Sequence, residues 1–168
     1  FAPLTFPGHI RRLKVDAQNN IWAAIWNQGR RPGKLAKLDQ TTGRFTEYSV
    51  PLWTAQPYDV NPDGEGNMWF ADSPTPDRVA LISKFNPRNQ TWAFYPKPQF
   101  DADTPKVQVT REGAIWYSPR GSRDMPAIGV LYPDMDKITT LGAFYQYGPP
   151  GNPWPSPTTQ TASRTASR

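Results

Sequence analysis

Short stretches in which apolar and polar residues alternate run along most of the chain. In residues 45–50 the odd-numbered positions, Phe45, Glu47 and Ser49, lie on one face of the predicted strand and the even-numbered positions on the other. Clusters of Asp, Asn, Pro and Gly separate these stretches and are typical of tight turns. The 20 prolines and 12 glycines argue against long helices. The pattern therefore predicts an all-β chain of short strands.

One element recurs three times with a constant spacing of 47 residues. Trp22, Trp69 and Trp116 each follow an apolar residue, in the stretches Asn-Ile-Trp-Ala-Ala, Asn-Met-Trp-Phe-Ala and Ala-Ile-Trp-Tyr-Ser. A second element, Lys-Leu-Asp-Gln-Thr-Thr-Gly-Arg-Phe, begins 15 residues after the first Trp, at position 37. It returns at 84–92 as Lys-Phe-Asn-Pro-Arg-Asn-Gln-Thr-Trp and, more weakly, at 130–141. Two elements that share one register indicate an internal repeat.

Each repeat predicts four strands. The first strands are expected at 13–15, 58–60 and 106–109, and the second strands carry the Trp element. The third strands are expected at 36–38, 82–85 and 129–131, and the fourth at 45–50, 92–95 and 138–144. Four antiparallel strands in about 40–50 residues are typical of a β-propeller blade. We therefore predict blades at 8–52, 53–99 and 100–145, and we expect the three Trp residues to be buried equivalently between blades rather than to bind a cofactor.

Three blades form a partial propeller, because known propellers close with four or more. An arc of this kind leaves a sheet edge uncovered at each end. We therefore expect a protein partner or further blades to cover both ends. Residues 1–7 are predicted to be the last strand of a preceding blade or an N-terminal arm, and because the first residue is Phe, we expect the chain to be processed or an excerpt of a longer protein.

Charge and composition narrow the classes of function. The net charge is +5, but Lys and Arg are scattered, which argues against a nucleic-acid partner. The absence of Cys excludes disulfides, thiolate metal sites and a Cys nucleophile, and a single His excludes a multi-His metal site within one chain. No apolar run reaches the ~18 residues of a membrane span, so contact with a membrane complex would be peripheral.

The loops between the second and third strands of each blade are rich in arginine. Equivalent loops of a propeller lie on one face, so this face is predicted to collect a set of basic side chains: Arg30, Arg31, Arg78, Arg120 and Arg123. The set is either a solvated rim or a docking surface for acidic groups, which Arg binds in bidentate geometry. Residues 146–168, rich in Pro, Ser and Thr, are either a flexible tail or an extended arm that docks through Tyr147 and Trp154.

The repeat resembles the blades of the streptogramin lyase (virginiamycin B lyase) family. The resemblance lies in the phrase Asp-x-x-Asn-Asn-Ile-Trp at 16–22 followed by Lys-Leu-Asp-x-x-Thr-Gly-Arg-Phe-Thr-Glu-Tyr-x-x-Pro from position 37, and it extends over residues 4–143. It implies a seven-bladed propeller fold. It also implies an enzyme that opens a cyclic depsipeptide by elimination, using a catalytic His, Glu residues and Mg²⁺ at the central channel.

The catalytic motif that the resemblance implies is Glu-x-His, then a Trp eleven positions after the His, and a Glu three positions after that Trp. At the His position this chain has Arg11, Tyr58 and Pro105. The Glu position after Trp holds Ile25, Asp72 and Pro119, and the Glu position before His holds His9, Gln56 and Asp103. No blade has the complete set, so we expect Arg11, Tyr58 and Asp72 to face the channel in blades that are not catalytic.

Other sites are weakly indicated by the sequence. Asp101, Asp103, Asp134 and Asp136 do not have the spacing of a calcium-binding loop, and we predict neither a metal nor a cofactor. The first hypothesis is a non-catalytic propeller segment that binds or supports a protein, in the periplasm or outside the cell. The second is a streptogramin-type lyase whose catalytic site lies on blades outside this chain. A longer reading frame with Glu-x-His and Trp-x-x-Glu blades would favour the second.

Overall fold

A computed structural model describes residues 8–27, 32–53, 55–72, 81–97, 103–120 and 128–134. These residues form eleven strands: β1 (His9–Val15), β2 (Ile21–Trp26), β3 (Lys34–Asp39), β4 (Arg44–Ser49), β5 (Pro57–Pro62), β6 (Met68–Asp72), β7 (Leu81–Asn86), β8 (Thr91–Pro96), β9 (Val107–Val109), β10 (Ile115–Tyr117) and β11 (Gly129–Leu131). Within the described ranges there is no helix, and hence none that could cross a membrane.

The strands form three antiparallel sheets that follow the sequence repeat. Neighbouring strands are consecutive in the sheets β1-β2-β3-β4 and β5-β6-β7-β8, and β10 lies between β9 and β11 in the third. β5 lies beside β1 on one side and beside β9 on the other, so the first strands of the three sheets adjoin one another. The prediction of an all-β fold built from propeller-type blades is confirmed. The predicted strand at 138–144 lies outside the described residues, as do the segments 1–7 and 146–168.

A buried carboxylate organises the turn between the first two strands of a blade. Asp16 accepts hydrogen bonds from the indole Nε1 of Trp22 (2.8 Å) and from the backbone N and side-chain Nδ2 of Asn20. Asp63, Asn67 and Trp69 repeat the arrangement in the second blade, with 2.9 Å from Trp69 Nε1 to Asp63 Oδ2. The motif Asp-x-x-x-Asn-x-Trp is therefore a turn whose carboxylate holds both the backbone and the indole ring.

The third blade keeps this turn without the carboxylate. Thr110 stands where the other blades have Asp, and its hydroxyl Oγ1 accepts a hydrogen bond from the backbone N of Ala114 at 3.1 Å. The residue with positive φ is retained in all three turns, as Asn19 (φ 62°), Gly66 (φ 84°) and Gly113 (φ 88°). The left-handed conformation favours Asn or Gly there, which explains the recurring Asn and Gly of the sequence repeat.

Two apolar cores lie between the sheets. In the first, Trp22 and Leu35 of the first sheet pack against Val60 and Phe85 of the second, and Tyr48 stacks on Trp22 with ring centroids 5.8 Å apart. The packing of Tyr48 agrees with the alternation predicted for residues 45–50. In the second core, Trp69 packs with Val107 and Ile115 of the third sheet. Trp22 and Trp69 thus lie on the faces of their sheets that meet the following blade.

Trp116 differs from the expectation of equivalent burial. Trp22 and Trp69 are 1% and 2% exposed, whereas Trp116 is only half-buried. The physical reason is the packing, because Trp22 and Trp69 are covered by the next sheet, and among the described residues no further sheet follows β11.

Polar side chains join the second and third blades at the first strand of each sheet, β5 and β9, which we call the inner strands. Asp59, fully buried, accepts a hydrogen bond from the backbone N of Val107 (3.0 Å), and Asn61 Nδ2 donates to the carbonyl oxygen of the same residue (3.1 Å). Lys106 Nζ lies 3.6 Å from Asp59 Oδ2. Asp59 and Asn61 thus bind the backbone of β9 as a neighbouring strand would within one sheet. These hydrogen bonds fix the position of β9 against β5.

Candidate functional site

The first strand of each of the first two blades carries one extra residue near its beginning. In β1 the pairing with β2 shifts between Ile10 and Arg12, which leaves Arg11 outside the regular ladder. In β5 the pairing shifts between Pro57 and Asp59, which leaves Tyr58 in the same position. A β-bulge of this kind redirects a side chain and is common beside binding sites. Arg11 and Tyr58 are therefore equivalent residues of adjacent inner strands.

Arg11 lies between two aromatic rings. Its guanidinium carbon is 3.9 Å from the ring centroid of Trp26, at the end of β2, and 5.3 Å from that of Tyr58. Both distances are within the range of a cation–π interaction, and the shorter one is typical of a stacked guanidinium. The Nε atom of Arg11 is buried and has no hydrogen-bond acceptor among the described residues.

A second arginine joins this cluster from the third blade. Arg120 forms an ion pair with Asp103, and the two residues also form an isolated antiparallel bridge. The hydrogen bond and charge of Asp103 raise the pKa of Arg120, and Tyr58 adds a smaller contribution of the same sign. Tyr58 therefore lies between two guanidinium groups, one paired with a carboxylate and one not. We call Arg11, Trp26, Tyr58, Asp103 and Arg120 the arginine cluster.

Asp72 ends β6, where it pairs with Pro57 beside the Tyr58 bulge, and it is 3% exposed. It is the acidic member of the three channel-facing candidates. Ile25, at the corresponding position of the first blade, is fully buried, and the corresponding residue of the third blade is Pro119.

These residues do not fit the Mg²⁺ ion that the resemblance implies. Mg²⁺ binds oxygen ligands, chiefly carboxylates, whereas the His position of the motif holds a guanidinium in Arg11 and a phenol in Tyr58. A cation at Arg11 repels a metal ion. Across the residues whose positions are described, no group of three or more His, Asp or Glu side chains is placed to hold a metal.

Several residues expected to bind partners lie outside the described ranges. They are Arg30, Arg31, Arg78, Arg123, Tyr147 and Trp154. Of the arginine-rich loops, Arg120 alone lies within them, with its side chain 63% exposed. The arginine-rich face and the docking of the tail therefore remain predictions.

Sequence reasoning missed Trp26 as a partner of Arg11. It also missed the bulges, because a bulge depends on the pairing of two strands and not on the residue types of one. The available signal was the spacing, since Arg11 and Tyr58 are 47 residues apart, as the Trp residues are.

A shallow cleft lies at the opposite end of the second and third blades. Its volume is about 310 Å³, and its lining includes Asp63 and Glu65, Lys84 and Arg111, and the aromatic rings of Trp69 and Tyr95. Acids and bases are mixed there, and the carboxylate of Asp63 is already hydrogen-bonded to the turn. The cleft therefore does not present one recognisable chemistry.

Strand β1 of the first sheet carries exposed apolar side chains. Leu13, Val15 and Ile10 of β1 are 56%, 55% and 40% exposed. Leu13 pairs with Ala23 in β1–β2 as Val60 pairs with Phe70 in β5–β6, so Leu13 and Val60 are equivalent. Val60 is fully buried against the first blade. The face that the first blade covers in the second blade is thus exposed along β1 in the first, although Ala23, Ile25 and Ala36 on the same face are buried.

Comparison with solved structures finds the same fold in virginiamycin B lyase. The chain superposes on virginiamycin B lyase from Staphylococcus aureus with a TM-score of 0.56 and 16% identity, over 72% of this chain and 37% of that one. It superposes on a catalytically inactive variant of that lyase with quinupristin at a TM-score of 0.61 and 16% identity, over 77% of this chain and 40% of that one.

The chain spans about two fifths of the length of these lyases. No protein-family model and no curated protein sequence matches it. At this identity the likeness concerns the fold and not the reaction. Together with the three sheets and their repeated turn, it shows that the chain has the streptogramin lyase-like β-propeller fold.

Proposed function

We propose that the chain is a non-catalytic β-propeller segment that binds or structurally supports another protein. We place that assembly outside the cytoplasm, in the periplasm, at a membrane-attached complex or in the secreted fraction. In this proposal the partner covers the ends of the arc of blades. The arginine-rich loops and the tail residues Tyr147 and Trp154 contribute further contacts to it.

The exposed apolar side chains of β1, Ile10, Leu13 and Val15, carry this proposal. Three exposed apolar side chains on one inner strand are unusual for a surface, and large exposed apolar patches mark interaction sites. The equivalent positions of the second blade show the kind of surface that fits there. Leu13 corresponds to Val60, which packs in one core with Trp22 and Leu35 of the neighbouring sheet.

The far end of the arc supports the same conclusion. Ile128 and Leu35 occupy equivalent positions. Ile128 lies two residues before Val130, which pairs with Trp116. Leu35 lies two residues before Lys37, which pairs with Trp22. Leu35 is fully buried, whereas Ile128 is 75% exposed. Both ends of the arc thus expose apolar residues whose equivalents in another blade are buried between sheets.

The test is the mass of the full chain in solution as a function of concentration. We expect concentration-dependent association above the 19.0 kDa of one chain, because uncovered apolar faces and sheet edges associate. The double change Leu13→Asp and Val15→Asp is expected to reduce association without lowering the melting temperature. The double change Thr46→Asp and Ser49→Asp, at two exposed residues of β4, is the matched control and is expected to leave association unchanged.

A second comparison removes residues 146–168, which we expect to weaken partner binding. A stable monomer at all concentrations, unaffected by either set of changes, would contradict the proposal. Raised salt is expected to weaken association only modestly, since charges at a rim mainly affect the rate of encounter.

The alternative function is a streptogramin-type lyase with its catalytic residues on blades outside this chain. The observation in its favour is the likeness in fold to virginiamycin B lyase. Under the main proposal the purified chain with Mg²⁺ does not linearise a streptogramin B depsipeptide. Turnover that is lost in Asp72→Ala or His9→Ala would overturn the non-catalytic proposal and would indicate a catalytic site within this chain.

A further inference from the structure

Arg11 forms no ion pair with any residue that the structure describes. The ion pairs found among the described residues are Lys34–Glu47, Lys106–Asp59 and Arg120–Asp103, and none involves Arg11. Its buried Nε likewise has no acceptor within the described part of the chain. A buried donor left unsatisfied destabilises the folded state, and more so when it is charged. Such a group in a folded protein calls for an acceptor.

The aromatic rings around Arg11 fix the orientation and the position of its guanidinium group. Stacking on Trp26 at 3.9 Å fixes the plane of the group, and Tyr58 limits its movement from the side of the next blade. A guanidinium stacked on a ring still presents its N–H edge, because those hydrogens lie in the plane of the group. Arg11 as a whole is half-buried, whereas its Nε is buried. We therefore expect a ligand to reach both donors only with a small movement of the side chains that cover Nε.

We propose that Arg11, stacked on Trp26 and flanked by Tyr58, binds a carboxylate group. A carboxylate is planar, carries one negative charge and accepts two parallel hydrogen bonds from a guanidinium edge. One uncompensated guanidinium matches that single charge. A phosphate dianion would require a second free cation, and Arg120 is already paired with Asp103. The site does not depend on the docking of the exposed apolar side chains of β1.

The direct test is titration of the full chain with acetate, observed by NMR. The probes are the side-chain Nε–H signal of Arg11, assigned by its loss in Arg11→Gln, and the indole N–H signal of Trp26. We expect saturable shifts of both signals, with a dissociation constant on the order of millimolar. Sodium chloride at equal ionic strength is the control. Equal shifts with chloride would overturn the proposal, because they would reflect screening alone.

Variants test whether the guanidinium fork is responsible. Arg11→Lys keeps the charge but loses the paired donors, and we expect it to weaken acetate binding at least tenfold at the Trp26 signal. Arg12→Lys, one residue away on the exposed side of β1, is the matched control and is expected to bind as the parent does. Unchanged acetate binding in both Arg11→Lys and Arg11→Gln, with melting temperatures close to that of the parent, would overturn the assignment.

Two further titrations identify the ligand class. Inorganic phosphate is expected to bind no more tightly than acetate, and a tenfold tighter phosphate would overturn the choice of a carboxylate. N-acetylglycine carries a carboxylate of the kind at a chain terminus, whereas N-acetylglutamate α-amide carries one of the kind on an acidic side chain. Tighter binding of either compound than of acetate supports the site and identifies which source it prefers.

Discussion

At the scale of single residues, the hydrogen bonds around Asp16 link the turn to the core. Burial by itself raises the pKa of this carboxyl, but donors on Trp22, Asn20 and Gln18 outweigh that effect and bring the pKa below its ordinary value. The folded state therefore favours the ionised form. The same donors fix the indole ring that covers the next blade, so one carboxylate couples a local turn to packing between sheets.

The lowered pKa predicts a pH dependence of stability. A carboxyl whose pKa is depressed by folding contributes stability above its unfolded pKa of about 4, and this contribution is lost as the pH falls through the folded pKa. We expect Asp16→Asn to lower the free energy of unfolding at pH 7 and to flatten its decline between about pH 4 and pH 2. Urea unfolding over this range is the measurement, with Asp134→Asn at an exposed position as control. If the free energy of unfolding of Asp16→Asn declined with falling pH as steeply as that of the parent, the role assigned to Asp16 would be refuted.

The three Trp residues are expected to differ in their contributions to stability. Trp69→Ala removes a ring that is 2% exposed and leaves a cavity between two sheets, which costs about 3–5 kcal/mol. Trp116→Ala is expected to cost less in the same chain, because Trp116 is half-buried. Chemical denaturation of both variants checks the order. Equal losses would mean that the third blade is packed as fully as the second.

At the scale of elements, close approach of backbones sets the junction between the first two blades. Gly33 donates its N–H to the carbonyl oxygen of Ala55 at 2.8 Å, and Val50 donates to the carbonyl of Gly33 at 3.1 Å. The chain entering β3 thus lies directly against the segment that precedes β5. A side chain at position 33 has no room at this junction.

Gly33→Ala is therefore expected to destabilise the chain through a steric clash. An added Cβ would lie 2.2 Å from Cδ of Pro57 and 2.9 Å from the carbonyl oxygen of Ile25. Overpacking of this kind typically costs about 1–3 kcal/mol. Gly64→Ala is the matched control, because nothing lies within 4 Å of its added Cβ. Thermal unfolding that shows no difference between the two variants would contradict the close approach.

At the scale of the whole molecule, equivalent positions in successive blades have opposite environments. Val60 is fully buried and Leu13 is 56% exposed, although both occupy the same place in their sheets. We expect Val60→Ala to cost about 2–4 kcal/mol of stability and Leu13→Ala less than about 0.5 kcal/mol in the isolated chain. Denaturation measured at low protein concentration tests this. A large loss in Leu13→Ala would indicate that the face is already covered.

The sequence by itself determined the blades and most of their strands, because the repeat encodes local features. The positive φ in the turn favours residues such as Asn19 and Gly66. The carboxylate of the turn binds the indole N–H, which accounts for the recurring Trp. Such features act within a few residues and can be read from spacing.

The tertiary structure alone decided how the inner strands meet. The pairing shifts that place Arg11 over Trp26 and beside Tyr58 depend on the partner strand and on the neighbouring sheet, which no single stretch of sequence specifies. The unequal burial of Trp22 and Trp116 likewise follows from which sheet lies next, and not from the shared motif. Burial between sheets is a property of their assembly, so similar local sequences acquire different environments.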